Sequence, residues 1–174
     1  MIENKFIELA QLYNCEYKVE NFTVNGLIGS KLPVTIYSIT INYSGIDIDV
    51  VFEFGNSNMA EFRFELKFGN RIPNFYLSTR DNFFRLFYER SRVWNISCKN
   101  EIFEKKIFKI LTDSGLNRLA NEEAFEPLIE GNFSNNVYVF SAKYYLGFYK
   151  KDESLELMLK FLFSMIDFFI LNYS

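Results

Sequence analysis

The chain of 174 residues is long enough for one domain with a substantial core, and 19 basic and 22 acidic residues give it a net charge of −3. This balance excludes a global positive field that would hold a nucleic-acid backbone, so no nucleic-acid partner is expected. The sequence has 21 Phe and 11 Tyr but no His, which removes the commonest general base and the commonest metal ligand. We therefore expect no metal site, no cofactor and no catalytic residue.

The cysteines and the N-terminal stretch indicate a compartment. Cys15 and Cys98 are too few for a disulfide framework and lie in no CxxC pair, so free thiols in a reducing cytosol are the simplest interpretation. Glu3 and Glu8 interrupt any signal-peptide core, and no uncharged run reaches the roughly 18 residues of a transmembrane helix. No linker or repeat is evident. The sequence thus predicts a cytoplasmic protein without a membrane span, folded as a single α+β domain over residues 1–174.

Hydrophobic periodicity predicts both helices and strands along the chain. Helices are placed where apolar residues recur every three or four positions, and strands where apolar and polar residues alternate. Clusters of Gly, Asn and Ser mark the turns. In chain order the predicted elements are helix 2–14, strand 17–24, strands 37–43, 46–54 and 62–68, a weaker strand 74–79, helix 82–91, strand 93–98, helix 101–113, a helical turn 116–124, a hairpin of 127–133 and 137–149, and helix 153–171.

The clearest β pattern is the hairpin around Ser44-Gly45. A two-residue turn at these positions pairs Tyr43 with Ile46 and places all the apolar residues of both strands on one face, so turn and pattern agree on the register. The alternation over 62–68 then adds a third antiparallel strand. A three-stranded meander with one apolar and one solvated face is predicted.

The helix predicted over 153–171 is apolar except for one narrow polar stripe: Glu153, Glu156, Lys160, Ser164 and Asp167. So wide an apolar arc predicts burial against the sheet. One alternative is a homodimer or partner interface through this helix. Docking on a membrane surface is disfavoured, because the stripe has one Lys and no Arg, whereas such helices are rich in both. The predicted fold is two-layer α+β: an antiparallel β-meander sheet packed by an N-terminal helix, a central helix and this long apolar C-terminal helix.

Carboxylates on one strand form the first candidate for chemistry. Asp47, Asp49 and Glu53 share its polar face, and such groups can transfer protons or bind a divalent cation. Arg63 and Lys67 lie on the same face of the next strand, and cross-strand ion pairs explain the pattern better, because alternation requires polar residues there in any case. A second acidic run is interpreted as a solvated loop: Glu122, Glu123, Glu126 and Glu130.

Arginines and aromatic residues form the second candidate. Five of the seven arginines fall within residues 71–92. Arginine beside aromatic rings binds phosphate or carboxylate through forked hydrogen bonds and stacking, and the pairing is enriched at protein–protein hot spots. An ordinary amphipathic helix is the simplest interpretation, a protein partner the second and an anionic ligand the third. The candidate partner-binding residues are Arg80, Arg85, Tyr88, Arg92 and Trp94.

The absence of catalytic motifs favours a non-enzymatic protein-interaction domain. One form is an immunity-type protein, which is a small acidic bacterial protein that binds and neutralises a toxin. This hypothesis is based only on size, acidity and the missing catalytic groups. The alternative is a module that holds an apolar or anionic small ligand between the sheet and the C-terminal helix, which requires a cavity of roughly 300 Å³ or more lined by Phe and Tyr. A carboxylate-dependent enzyme is the third hypothesis and requires carboxylates that converge in a cleft.

Overall fold

The computed structural model describes residues 2–26, 29–68, 71–79 and 94–174. Within them, four helices and eight strands follow the predicted order, and the helix predicted over 82–91 lies outside the described residues. Their bounds are α1 Ile2–Tyr13, β1 Tyr17–Asn25, β2 Lys31–Tyr43, β3 Ile46–Phe54, β4 Met59–Leu66, β5 Phe75–Thr79, β6 Trp94–Cys98, α2 Glu101–Ser114, α3 Leu116–Glu122, β7 Leu128–Ser134, β8 Val137–Tyr145 and α4 Lys151–Tyr173.

The described strands form one antiparallel sheet in the order β1-β2-β3-β4-β8-β7-β5-β6. The first four strands are a meander in chain order, and the predicted hairpin register, with Tyr43 opposite Ile46, is confirmed. Ser44 and Gly45 both have positive φ, 53° and 79°, which suits the twist of a two-residue hairpin turn. Strand β8 pairs with β4 and joins this meander to the second block of strands.

Helices cover one face of the sheet, and the two-layer α+β fold is confirmed. Aromatic rings of the sheet and of α4 meet between the layers. Phe64 and Phe140, on neighbouring strands, stack with ring centroids 4.7 Å apart, and α4 packs on this pair through Phe161, 6.3 Å from Phe140, and Phe169, 6.4 Å from Phe64. Most of the apolar arc of α4 is buried, while Leu171 near its end is exposed. Buried apolar residues of α4 are Leu155, Met158, Leu159, Phe161, Leu162, Met165, Ile166 and Phe169.

The ends of α2 agree with the sequence signals. The Asn100 side chain accepts a hydrogen bond from the Phe103 backbone N–H at 3.0 Å, which satisfies one of the unpaired donors of the first turn. The helix ends at Ser114, before Gly115. The predicted helix 101–113 is therefore confirmed to within one residue.

The last strand of the second hairpin is shorter than predicted. Strand β8 stops at Tyr145 rather than continuing to 149. The Leu146 backbone N–H donates to the Asn58 carbonyl at 2.7 Å, and the chain then turns into α4. Leu146 and Phe148 stay buried, so their alternation reflects packing beneath this turn and not a longer strand.

Candidate functional site

An open groove of about 430 Å³ lies between α1 and α4. We call it the α1–α4 groove. Charged side chains of both helices stand at its rim, among them Lys5, Glu156 and Asp167. Its floor and walls are apolar and partly aromatic: Leu9, Leu12, Tyr13, Tyr43, Leu155, Leu159 and Phe163.

The groove exists because the two helices are anchored on different parts of the sheet. Phe6 fixes α1, since its fully buried ring lies 5.7 Å from Tyr37 of β2 and 5.5 Å from Phe52 of β3. Phe161 fixes α4 near β8. Each helix follows its own stretch of apolar sheet, so the space between them is left open to solvent.

Two polar contacts connect the elements around the groove. Lys5 Nζ lies 2.6 Å from Glu156 Oε1 and 3.0 Å from Glu8 Oε2, and hydrogen bonds to Glu156 and then Glu8 raise the pKa of Lys5. The Tyr43 hydroxyl donates to Asp167 Oδ2 at 3.0 Å, and the Tyr43 ring stacks on Phe163 at 4.2 Å. Burial, followed by the contact with Asp167, raises the pKa of Tyr43, so this hydroxyl stays protonated at neutral pH.

The groove offers an apolar binding surface rather than a set of reactive groups. Its carboxylates are already engaged: Glu8 and Glu156 by Lys5, and Asp167 by Tyr43. Among the described residues, no group of three or more Cys, Asp or Glu is arranged to hold a metal ion. Apolar groups that need shelter from water are what this surface can bind.

Of the predicted partner-binding residues, only one lies in the described part of the chain. Trp94 is the first residue of β6 and is 3% exposed, and its indole N–H donates to Asn117 Oδ1 on α3 at 3.1 Å. Truncation of Trp94 therefore removes core packing. The others, Arg80, Arg85, Tyr88 and Arg92, lie outside the described residues, and their role stays a prediction.

The acidic residues of β3 have structural partners. Asp49 accepts from the Thr40 hydroxyl at 2.7 Å and Asp47 from the Asn42 side chain at 2.6 Å. Glu53 accepts from the Ser57 backbone N–H, which lowers the pKa of Glu53. Arg63 faces Asp49 across the strands but pairs with Glu65 of its own strand.

For Asp47 and Asp49, the predicted ion pairs with β4 are therefore replaced by hydrogen bonds to β2. The reason is geometric: Thr40 and Asn42 stand directly opposite Asp49 and Asp47 in the β2–β3 register, with short donors already in reach. A cross-strand ion pair does form one strand further along, between Glu61 and Lys143. The interpretation of this face as solvated and structural is kept.

Part of the acidic run in the second half of the chain joins helices. Glu122 of α3 pairs with Arg118 at 3.1 Å and with Lys150 at 2.7 Å, and Arg118 also pairs with Glu153 of α4. The hydrogen bond from Lys150 is the main cause that lowers the pKa of Glu122. This part of the run is more than a solvated loop, because it connects the end of α3 to the start of α4.

This cluster predicts an acid-dependent contribution to stability. The folded pKa of Glu122 lies below the unfolded value of about 4.3, so the contribution is present above that value and is lost as pH falls through the folded pKa. We expect Glu122→Gln to lower the melting temperature slightly at pH 7, and this deficit should shrink as the pH falls below about 4.3 towards pH 3. Glu16→Gln, on the exposed residue before β1, is the control. A deficit of equal size at both pH values would contradict the prediction.

The sequence carried two weak signals of the groove. Leu12 lies beside, and not on, the apolar stripe of α1 formed by Ile2, Phe6 and Leu9, and it is 71% exposed. The apolar arc of α4 is wider than one sheet face can cover. Either signal alone is common in proteins, and only the spatial arrangement joins them into one surface.

Comparisons with known proteins leave the fold and the groove as the basis for interpretation. No protein-family model matches the chain, and neither a curated protein nor a solved structure matches it. In the described part of the chain, no helix combines the length and apolarity that crossing a bilayer requires.

Proposed function

We propose that this chain is a non-enzymatic binding protein that captures a partner protein through the α1–α4 groove. One observation carries the proposal: the groove, with a volume of about 430 Å³, has a concave apolar surface that is open to solvent between charged side chains. Apolar surface with a polar rim is characteristic of interaction sites, because exposing it to water is unfavourable unless something covers it. We keep the hypothesis of a protein-interaction domain and propose the groove as its binding surface.

The occupant that fits best is an amphipathic helix of the partner. Lys5 contacts Glu156, and eight residues further along α1 Tyr13 contacts Phe163, so the two helices run in roughly the same direction for about 12 Å at 1.5 Å per residue. Apolar side chains at i, i+4 and i+7 of a third helix span about 10 Å. Insertion of such anchors into an apolar groove is a recurring mode of recognition.

The charges at the rim of the groove indicate which charges the partner helix would carry beside its apolar anchors. Glu8, Glu156 and Asp167 outnumber the lysines of the rim, and Lys5 is already bound by two of these carboxylates. The rim thus has a small negative excess, as does the whole chain. Lys or Arg residues beside the apolar anchors of the partner would complement it. Such rim charges affect the rate and specificity of association more than the affinity.

Variants of two exposed leucines test the proposal. Leu12 is 71% exposed at the lip of the groove, and Leu171 is 85% exposed on α4 outside the groove lining. We expect Leu12→Asp to weaken capture of a stoichiometric partner by on the order of tenfold or more, as for loss of an interface anchor. Leu171→Asp, the matched control, is expected to retain it.

The readout is affinity capture from the native host, followed by hydrogen-exchange protection of the complex. Protection over α1 and α4 that disappears with Leu12→Asp supports the groove. Circular dichroism of both variants checks that folding is intact. Equal capture by the two variants, or protection confined to another surface, would contradict the assignment.

A second candidate is favoured by the size of the groove. Its volume exceeds the roughly 300 Å³ that an apolar ligand module requires, and Tyr13, Tyr43 and Phe163 line it. Its openness disfavours this function, because small-ligand sites usually bury about 70–90% of the ligand. Native mass spectrometry separates the two, since a stoichiometric small molecule that accompanies the protein, without a protein partner, would favour the ligand module.

The proposal places the protein in the cytoplasm, supported by the free thiols of Cys15 and Cys98. Neutralisation of a toxin, as an immunity-type protein, is one form that partner capture could take; only size, acidity and the missing catalytic motifs favour it. A gene for a toxin next to the gene for this chain would support that form. Homodimerisation through α4 stays a prediction.

A further inference from the structure

Strand β1 forms one edge of the sheet. All nine of its residues, Tyr17–Asn25, pair with β2 on one side, and no strand of the described residues pairs with its other side. Residues 18–23 are exposed in succession. Helix α1 packs on β2 more than on β1, and the exposure of residues 18–23 shows that the helix leaves most of β1 uncovered.

Of the features that usually prevent pairing at a sheet edge, β1 has only charged side chains, and these are of both signs. An edge strand presents unpaired N–H and C=O groups, and proteins blunt it with Pro, bulges, short length or charged side chains. Strand β1 has no Pro, and its register with β2 is unbroken. Its exposed apolar residues are Val19, 38% exposed, and Phe22, 44% exposed. Its charged residues are one cation and one anion, Lys18 and Glu20.

The two charges are complementary to themselves under a two-fold axis. We propose that two copies of this chain pair antiparallel through β1, with the axis at Val19. In this register Lys18 of each copy lies opposite Glu20 of the other, on the solvated face. An axis one residue later would place Glu20 opposite its own copy, which is unfavourable. Cross-strand pairs of opposite charge therefore select the register at Val19.

Within the described part of one chain, neither Lys18 nor Glu20 has an ion-pair partner. On β2, Lys18 lies opposite Ser38 and Glu20 opposite Ile36. A second copy provides both charges with a partner, pairs the open backbone groups and extends the sheet. No residue of β1 lines the α1–α4 groove, and the existence of the dimer does not depend on the function proposed for that groove.

Charge exchange tests this dimer. By sedimentation or light scattering over a concentration series, we expect the wild-type chain to dimerise. Lys18→Glu and Glu20→Lys should each weaken dimerisation, by about tenfold or more, because each puts like charges opposite each other twice. The double exchange, Lys18→Glu with Glu20→Lys, should restore it. A mixture of the two single variants should form a heterodimer, because their edges then carry opposite charges.

Controls and crosslinks make the test specific. Lys105→Glu, on the exposed face of α2, changes net charge equally and should leave the dimer intact. In a Cys15→Ser and Cys98→Ser background, Val19→Cys should give a disulfide-linked dimer, and Phe22→Cys should not. A monomeric wild-type chain, a dimer insensitive to both single charge variants, or crosslinking through Phe22→Cys instead of Val19→Cys would overturn the proposal.

Discussion

Truncation of Phe169 to Ala is expected to destabilise the fold by about 3–5 kcal/mol, the usual cost of removing a fully buried phenyl ring. Phe169 is fully buried on α4. Its ring lies 5.6 Å from Tyr138 of β8, 6.3 Å from Phe103 of α2 and 6.4 Å from Phe64 of β4. Two helices and the centre of the sheet meet at this one ring, so the cavity cannot close by moving a single side chain.

Urea denaturation measures this loss, with Leu171→Ala as the control. Leu171 lies two residues later on the same helix and is exposed, so its truncation should change stability by no more than about 0.5 kcal/mol. The slope of the unfolding free energy against urea concentration should stay the same in both variants. A loss below about 1 kcal/mol for Phe169→Ala would show that the aromatic contacts between the layers are weaker than their geometry indicates.

Replacement of Gly55 by Ala is expected to cost about 2–6 kcal/mol, because it combines backbone strain of about 1–3 kcal/mol with a steric displacement of similar size. Gly55 follows β3 and has φ of 110°. A Cβ atom there would lie 2.0 Å from the carbonyl oxygen of Pro33 on β2. The obstacle is backbone, so β2 and the end of β3 would have to separate.

Gly45 provides a control that isolates the steric part. It also has positive φ, 79°, but an added Cβ would have no neighbour within 4 Å. Gly45→Ala should therefore show only the conformational cost, about 1–2 kcal/mol. Thermal or urea unfolding of the two variants compares them directly. If both substitutions cost the same, the close approach of Gly55 to Pro33 contributes nothing.

Local chemistry explains why parts of the fold could be predicted from sequence. At the β2–β3 hairpin, the Ser44-Gly45 turn and the alternation of apolar residues specify the same register independently, and the structure has that register. At α2, the Asn100 cap and Gly115 mark the two ends. Each signal lies within a few residues of the feature that it specifies, and in these two places distant contacts agree with it.

Contacts between residues far apart in the chain decided the features of the fold that local signals did not predict. The pairing of β4 with β8 joins residues far apart in the chain. The alternation of apolar and polar residues in each strand does not indicate which strand it pairs with. Trp94 follows an arginine-rich segment and is one of the candidate partner-binding residues, yet its side chain is only 3% exposed and donates its indole N–H to Asn117. A hydrophobic pattern specifies that a side chain is buried, but not against which element.

The sequence by itself determined the fold class, the antiparallel register of the first hairpin and a core filled by Phe and Tyr, because turn chemistry and periodicity are local. Only the tertiary structure decided where apolar surface remains uncovered. Lys5 and Glu156 meet across the α1–α4 groove from opposite ends of the chain, and β1 became a sheet edge because no other described strand pairs with it. Both surfaces result from how the layers pack, and packing is a property of the whole chain.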